Sequence, residues 1–436
     1  MSENLVKARG YIVFIAGLSV AFGLALWIER ASGTSLIARE EVVRPSARAV
    51  GRAPLRPLSA QEVEWAKVAW RYFENNTDKD SGLANSVEKY AATTMWDTAS
   101  YLLATLSAHE IGLITKEEFD ARITRALGAL ERIPLFDAQL PNKSYNTATL
   151  SMVTYENKTT TRGIGWSAID IGRLLVPFNA LAWRYPQHTA QVLRVIGRWD
   201  TRRLAAEGEF YGAGVLPDGK TQLVQEGRLG YEQYAAKTFT LMGLDAATAL
   251  VYTRHVAYVD IYGLEVPYDD RDPKKFGAHN YVVSEPYVLD GLEFGWDSVS
   301  SEFAWRVFNA QEKRFRDSGI LTAVTEDHLD RAPYFAYNTV FSDGKNWNTI
   351  TDTGADASLF RALSVKAAFG WYALYRSPYT QELMRGVASL HDPARGWYAG
   401  RYEVGNETNR ALSANTNAVV LESLAYIQNG PIIRYH

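Results

Sequence analysis

The chain has 436 residues, with 46 Lys and Arg against 49 Asp and Glu, a net charge of -3 that gives no general attraction to nucleic acid. Hydrophobic residues make up 47% and charged residues 22%, the balance of a globular protein. The absence of cysteine excludes disulfides and thiolate metal sites, whereas 12 Trp and 25 Tyr offer flat faces and hydroxyls suited to sugar rings.

Tyr11 to Ile28 is 18 residues without a charge, just long enough to cross a bilayer core. Lys7 and Arg9 precede it, so the pattern predicts a cytoplasmic N-terminus (1–10), a transmembrane anchor (11–28) and an exported remainder. A cleaved signal peptide would carry a shorter apolar region and a small-residue cleavage site, and Trp27-Ile28-Glu29-Arg30 stands there instead. Residues 29–58, with Pro45, Pro54, Pro57 and many Arg, read as a solvated tether.

From Ser59 to the C-terminus, helical patterns recur. Ser59-Ala60-Gln61-Glu62 and Thr115-Lys116-Glu117-Glu118 are capping boxes, and Pro134 closes the helix opened by the second. Periodicity and breakers predict six pairs: 60–75 with 97–111, 115–131 with 165–184, 187–203 with 227–243, 245–257 with 286–294, 298–316 with 356–376, and 378–390 with 414–428. Links within pairs are long and rich in Gly, Asn, Asp and aromatics, whereas links between pairs are a few residues, as at Arg376-Ser377-Pro378. In an antiparallel chain this alternation sends every long loop to one side, and loops of that length in a compact domain are commonly functional. The expected fold is an all-α (α/α)6 toroid over 59–436, with the second helix of each pair inside.

Cleaving a glycosidic bond takes one carboxylic acid to protonate the leaving oxygen and a second carboxylate to activate water or attack the sugar. Asp97, Glu232 and Glu285, at expected inner-helix starts, are the catalytic candidates. Glu226, Glu326 and Asp356 lie in or beside loops, as does the Asp269–Asp272 cluster around Arg271, which reads as a loop-bracing group. Each candidate also has a structural reading. Asp97 could be a first-turn acid favoured by free N–H groups, Glu232 an acid paired with an arginine such as Arg228, and Glu285 a helix start before Pro286. A carboxylate at a helix N-terminus has its charged form favoured, so Glu232, between Tyr231 and Tyr234, is expected as acid and Asp97 as base. Trp96, Trp166, Tyr231, His279, Asn280, Tyr281, Tyr287, Glu326, Asp356, Asn415 and Asn417 are expected to line the cup.

No phosphate-binding glycine motif, G-x-S-x-G elbow or H-E-x-x-H is present, and no metal or cofactor is expected. Asn76-x-Asp78-x-Asp80 departs from a calcium loop, with Gly82 one place late and no closing acid. His279-Asn280-Tyr281 leaves a polysaccharide lyase as an alternative enzyme.

Thr94-Met95-Trp96-Asp97-Thr98-Ala99, Gln225-Glu226-Gly227-Arg228-Leu229-Gly230-Tyr231-Glu232-Gln233-Tyr234-Ala235 and Gly277-Ala278-His279-Asn280-Tyr281 through Tyr287 resemble the bacterial family called domain of unknown function 3131. That family resembles glucoamylase-like (α/α)6 proteins, β-1,2-glucan hydrolases among them. The resemblance implies roles for Asp97 and Glu232, and a glycoside hydrolase or transglycosylase acting on a bacterial glucan or exopolysaccharide. Together with the expected anchor at 11–28, a bacterial source places the protein in the inner membrane with its catalytic domain in the periplasm, where polysaccharide-synthesis machinery is an expected partner. A non-catalytic glycan-binding subunit of polysaccharide export is the remaining alternative, and it predicts cup carboxylates neutralised by Arg or Lys.

Overall fold

Ser59 begins the first helix as its sequence requires: its hydroxyl accepts from the Glu62 amide, and Glu62 Oε2 accepts from the Ser59 amide at 2.8 Å. The computed structural model describes Val43, 51–276 and 279–434. In chain order the helices are α1 (Ala60–Asn76), α2 (Met95–Glu110), α3 (Lys116–Leu130), α4 (Ala168–Arg184), α5 (Pro186–Ile196) and α6 (Tyr231–Leu241). After them come α7 (Pro273–Phe276), α8 (Glu285–Phe294), α9 (Ser298–Ser318), α10 (Val365–Leu374), α11 (Pro378–Val387) and α12 (Ala414–Asn429).

The even-numbered helices form the inner ring. Each packs on the next, and α12 closes the ring against α2. Their composition suits that position: every residue of α8 is buried, and α12 is buried from Ala414 to Ile427. The long loops carry short strands that stitch neighbouring inner helices together at their N-terminal ends. Ala92–Thr94, just before α2, pairs with Ser144–Asn146, and Ala362–Ser364, just before α10, pairs with Gly400–Tyr402.

Three expectations need correction. Helix 245–257 does not form. Gly243, at φ +74°, follows the end of α6, and a one-turn helix at Tyr252–Arg254 leads into a hairpin, Val256–Ile261 with Leu264–Asp269. The period-2 pattern of Val256-Ala257-Tyr258-Val259-Asp260-Ile261 and the positive φ of Tyr262 and Gly263 explain the hairpin. Among the described residues the outer wall therefore has five long helices. A hollow of about 360 Å³ opens there between Glu207, Glu209, Ala247, Thr248, Val251 and Arg254. Secondly, α10 starts at Val365 instead of 356, because Ser364 caps it while Asp356 lies in an exposed turn ahead of the strand. Thirdly, the tether does not run free to Leu58. The Ala53 amide bonds Leu374 O at 3.0 Å, the Arg56 amide bonds Ile427 O at 2.8 Å, and the Arg56 guanidinium holds Glu62. The expected span at 11–28 lies outside the described residues. Among those described, no helix is long and apolar enough to cross a membrane.

The ring is held from inside by a buried charge cluster. Arg173 of α4 reaches Glu293 of α8 at 3.0 Å and Glu422 of α12 at 3.3 Å, all three fully buried, and its guanidinium lies 4.6 Å from the Trp96 ring centroid. Removing one partner of such a group leaves an uncompensated buried charge, at a cost of about 3–5 kcal/mol. Arg173→Leu is therefore expected to lower chemical unfolding stability by about that amount, and a loss below about 1 kcal/mol would contradict this role.

Candidate active site

The six inner helices start at one face, and four of the starts are capped by a serine or threonine side chain. The N-caps are Thr94, Ser167, Gly230, Ser284, Ser364 and Ser413. Thr94 Oγ1 accepts from the Asp97 amide at 3.0 Å, Ser167 Oγ from Asp170 at 3.1 Å, and Ser413 Oγ from Thr416 at 3.2 Å. Glycine replaces the hydroxyl at position 230 because the backbone there has φ +97°, and a Cβ would press on Pro286 at 3.1 Å. The first turns then present Asp97, Asp170, Glu232, Glu285, Lys366 and Asn415.

Their environments separate them. Glu285 binds Lys366 Nζ through Oε2 and accepts from Asn415 Nδ2 at 2.7 Å through Oε1, with all three side chains buried. The carboxylate of Glu285 is thus neutralised by Lys366 and held by Asn415. Glu232 is clamped by Arg271 Nη2 at 2.7 Å and also accepts from Gln225 Nε2 at 3.2 Å, while the same guanidinium binds Asp269. The arginine partner expected from the sequence is Arg228, and Arg271 takes that place. Burial pushes the Glu232 pKa up and Arg271 pulls against it. The net direction is upward, as the expected acid role requires, but a proton on Glu232 would compete with the guanidinium for the same oxygens.

Among the described residues, Asp97 and Asp170 have no Arg or Lys ion pair. Asp97 accepts from Thr94 Oγ1 at 2.9 Å. Asp170 is half-buried on the neighbouring helix, and burial, followed by the charge of Glu226, pushes its carboxyl up to about 7. Asp97 adds to that shift, and Lys143 and Ser167 oppose it. Glu226 is fixed at the start of α4, where its Oε2 accepts from Ser167 Oγ at 3.0 Å and from the Ala168 amide at 2.7 Å. Gly212 makes room for it, since a Cβ there would stand 2.0 Å from Glu226 Oε1. Nearby, burial raises the Glu326 carboxyl and lowers the His328 imidazole, whose neighbours include the charge of Asp97.

Other expected cup residues divide the same way. Trp96 and Tyr231, both half-buried, meet edge to face at 5.7 Å. Tyr281 stacks flat on Tyr337 at 3.7 Å and 3°. Trp166 is core, 1% exposed with Nε1 bonded to Tyr211 O, and Tyr287 is likewise buried. Asn417 is fully buried and ties Trp397 N to Ser413 O. Asn280 spends its amide on Asp269 O and Arg271 O, and His279 Nδ1 pairs with Asp343 at 2.8 Å. Asp356 bonds Ser358 in an exposed turn. Asp78 braces its own turn through the Asp80 and Ser81 amides.

The chain belongs to the family "Protein of unknown function (DUF3131)". The family match spans residues 64–430. No curated protein matches it in sequence. Among solved structures it is similar to a candidate glucoamylase of Bacteroides caccae (TM-score 0.62, 14% identity, covering 85% of this chain and 94% of that one). It is also similar to an endo-β-1,2-glucanase of Chitinophaga pinensis in complex with sophorotriose and glucose (0.60, 13%, 86% and 94%). A third is a mutant endo-β-1,2-glucanase of Talaromyces funiculosus in complex with β-1,2-glucan (0.54, 10%, 86% and 84%). At these identities the shared property is the fold, a glucoamylase-like (α/α)6 ring.

Asp170 is not among the sequence candidates, yet Ser167-Ala168-Ile169-Asp170 repeats the spacing of Thr94-Met95-Trp96-Asp97. Its raised folded value means its contribution to stability is complete below the ordinary aspartate range and is lost as pH rises through about 7. Asp170→Asn is thus expected to gain stability relative to the native chain at pH 8 compared with pH 4, and equal differences at both would contradict the assignment. Glu226→Gln keeps an acceptor for Ser167 and Ala168 but loses the charge. Side-chain ¹³C titration is expected to show the Asp170 midpoint moving down from about 7, and an unchanged midpoint would contradict the coupling.

Proposed function

We propose that this protein is a glycoside hydrolase or transglycosylase acting on a bacterial glucan or exopolysaccharide, with Asp170 as general acid and Asp97 as its carboxylate partner. The observation that carries the reading is the pair itself: two acids without an Arg or Lys ion pair among the described residues, on adjacent inner helices, one with its carboxyl pushed up to about 7. Asp170 would give its proton to the glycosidic oxygen as the C–O bond breaks, and charge would develop on the sugar ring. Asp97 would take a proton from the incoming water or sugar hydroxyl, whose oxygen forms the new bond to the anomeric carbon.

The non-catalytic alternative calls for neutralised carboxylates, which describes Glu232 and Glu285 but not Asp97 and Asp170. The lyase alternative calls for Asn280 and a tyrosine together near basic residues; Asn280 does lie beside Tyr281 and Arg271, but its amide is spent on the Asp269 and Arg271 carbonyls, which favours the hydrolase reading. An acid-rich cup around Asp97 would also disfavour a polyuronate, which supports a neutral glycan. Two of the structurally similar proteins are endo-β-1,2-glucanases, which supports a β-1,2-glucan as the first substrate to try. An exported domain tethered to the inner membrane, near polysaccharide-synthesis machinery, rests on the apolar stretch 11–28 and the basic residues before it.

Purified protein incubated with neutral β-glucans is expected to release new reducing ends or transfer products. Asp97→Asn and Asp170→Asn should each lower kcat by about 10²-fold or more, in the range for loss of general acid–base catalysis. Glu232→Gln should have the smaller effect. Wild-type activity in both Asn variants, or loss only in Glu232→Gln, would overturn the assignment.

A further inference from the structure

Two bulky residues stand where a side chain strains the backbone. Tyr262 (φ 57°) takes the first corner of the tight turn between Val256–Ile261 and Leu264–Asp269, a place that favours Asn, Asp or Gly. Trp347 (φ 56°) follows the short hairpin of Phe341–Ser342 with Lys345–Asn346, and so large a residue is uncommon in that left-handed region. Neither turn needs an aromatic residue for its own geometry. The reason for each lies in what its ring does.

The two rings meet, with centroids 6.3 Å apart at an interplanar angle of 35°. The Arg314 guanidinium lies over Trp347, 4.8 Å from the ring centroid, and is itself held by Glu403 and Thr322. Lys313 Nζ, one residue earlier on α9, donates to Tyr262 O at 2.8 Å. One helix thus fixes both residues. Yet Tyr262 is 39% exposed and Trp347 only half-buried, with Lys345 and Asn346 exposed just before it in the chain.

Contacts lead from this pair to the cup. The Trp347 amide bonds Val340 O at 2.9 Å, and the Val340 amide bonds Val282 O at 2.7 Å. Val282 follows Tyr281, which stacks on Tyr337 at 3.7 Å. Asp343, at the tip of the hairpin before Trp347, pairs with His279 at 2.8 Å. Asn280 next to it donates to Arg271 O, and Arg271 holds Glu232 in the first turn of α6. The pair therefore stands two hydrogen-bonded segments outward from Tyr281, on the rim.

Aromatic faces held in place at a rim, with polar side chains alongside, suit a ligand with a flat apolar face and hydroxyl edges. A pyranose ring has that form. Arg314 and Glu403 neutralise each other, so the surface selects for ring faces more than for charge. We propose that Tyr262 and Trp347 form an outer subsite for a neutral sugar unit of a glycan chain whose reacting part lies in the cup. The nature of the ligand rests on the glycosidase reading, whereas the site itself is separate from Asp97 and Asp170.

The test uses the whole chain, with a long β-1,2-glucan and a β-1,2-linked disaccharide as probes in calorimetric binding and kinetics. It compares Tyr262→Asn, Tyr262→Phe, Trp347→Asn and the double Asn variant. Asparagine suits left-handed turns, so thermal unfolding should show the fold kept. The expected result is a Kd and KM about tenfold higher for the glucan in the double variant, with the disaccharide affected far less (tenfold corresponds to about 1.4 kcal/mol). Tyr262→Phe keeps the ring and should bind close to the native chain. Native-like glucan binding by the double variant would overturn the proposal. So would an equal loss on the disaccharide, or a Phe variant as weak as Tyr262→Asn. If the native chain binds the glucan but releases no products, the hydrolase reading fails while the Asn and Phe series still decides the subsite. If it cleaves the glucan and every variant binds alike, only the subsite fails. If it binds no glucan, the subsite falls too.

Discussion

The structure depends on six helix N-termini meeting at one face. Each brings free amide groups and a partial positive charge to the same rim, and the ring can close only if those amides are satisfied. Serine or threonine side chains cap four of the six starts, Thr325 accepts from the first amide of α8, and Glu226 adds a second acceptor at the start of α4. Carboxylates are then drawn to the first turns, where the dipole suits them. Burial at the same place works against their charge. The site results from that opposition.

The opposition is resolved in two ways around the ring. On one side Arg271 and Lys366 answer Glu232 and Glu285 with direct ion pairs, and Arg173 ties Glu293 to Glu422 beneath. These groups make the ring rigid. Between α2 and α4 no such ion pair forms among the described residues, and burial, reinforced by the charges of Glu226 and Asp97 and opposed by Lys143, pushes the Asp170 carboxyl up to about 7. Gly212 and Glu226 maintain that condition: the glycine permits the Glu226 carboxylate to approach, and its charge raises Asp170. The same ring therefore carries one side whose inner-helix acids are ion-paired and another whose acids are not.

Much of this is legible in the sequence. The alternation of long and short links identifies the working face, and the first capping box matches atom for atom. The phrase around Asp97 leads to a true inner-helix start. Glu232 reads as an acid in the sequence because its partner, Arg271, lies 39 positions away in a loop that pairing brings back over the helix. Asp170 is inconspicuous because its neighbours, Ile169 and Ile171, look like ordinary core, although its spacing from Ser167 copies that of Asp97 from Thr94. At the missing outer helix, alanine-rich sequence masks a two-residue period that the hairpin in fact follows.

The central claim is that a carboxylic acid at the start of α4 does the proton transfer. The most direct measurement is the pH dependence of kcat/KM on a neutral glucan. The account predicts a rate that falls as pH rises through about 7, as Asp170 gives up its proton. A rate that stays level or climbs from about pH 7 to about pH 9 would contradict it.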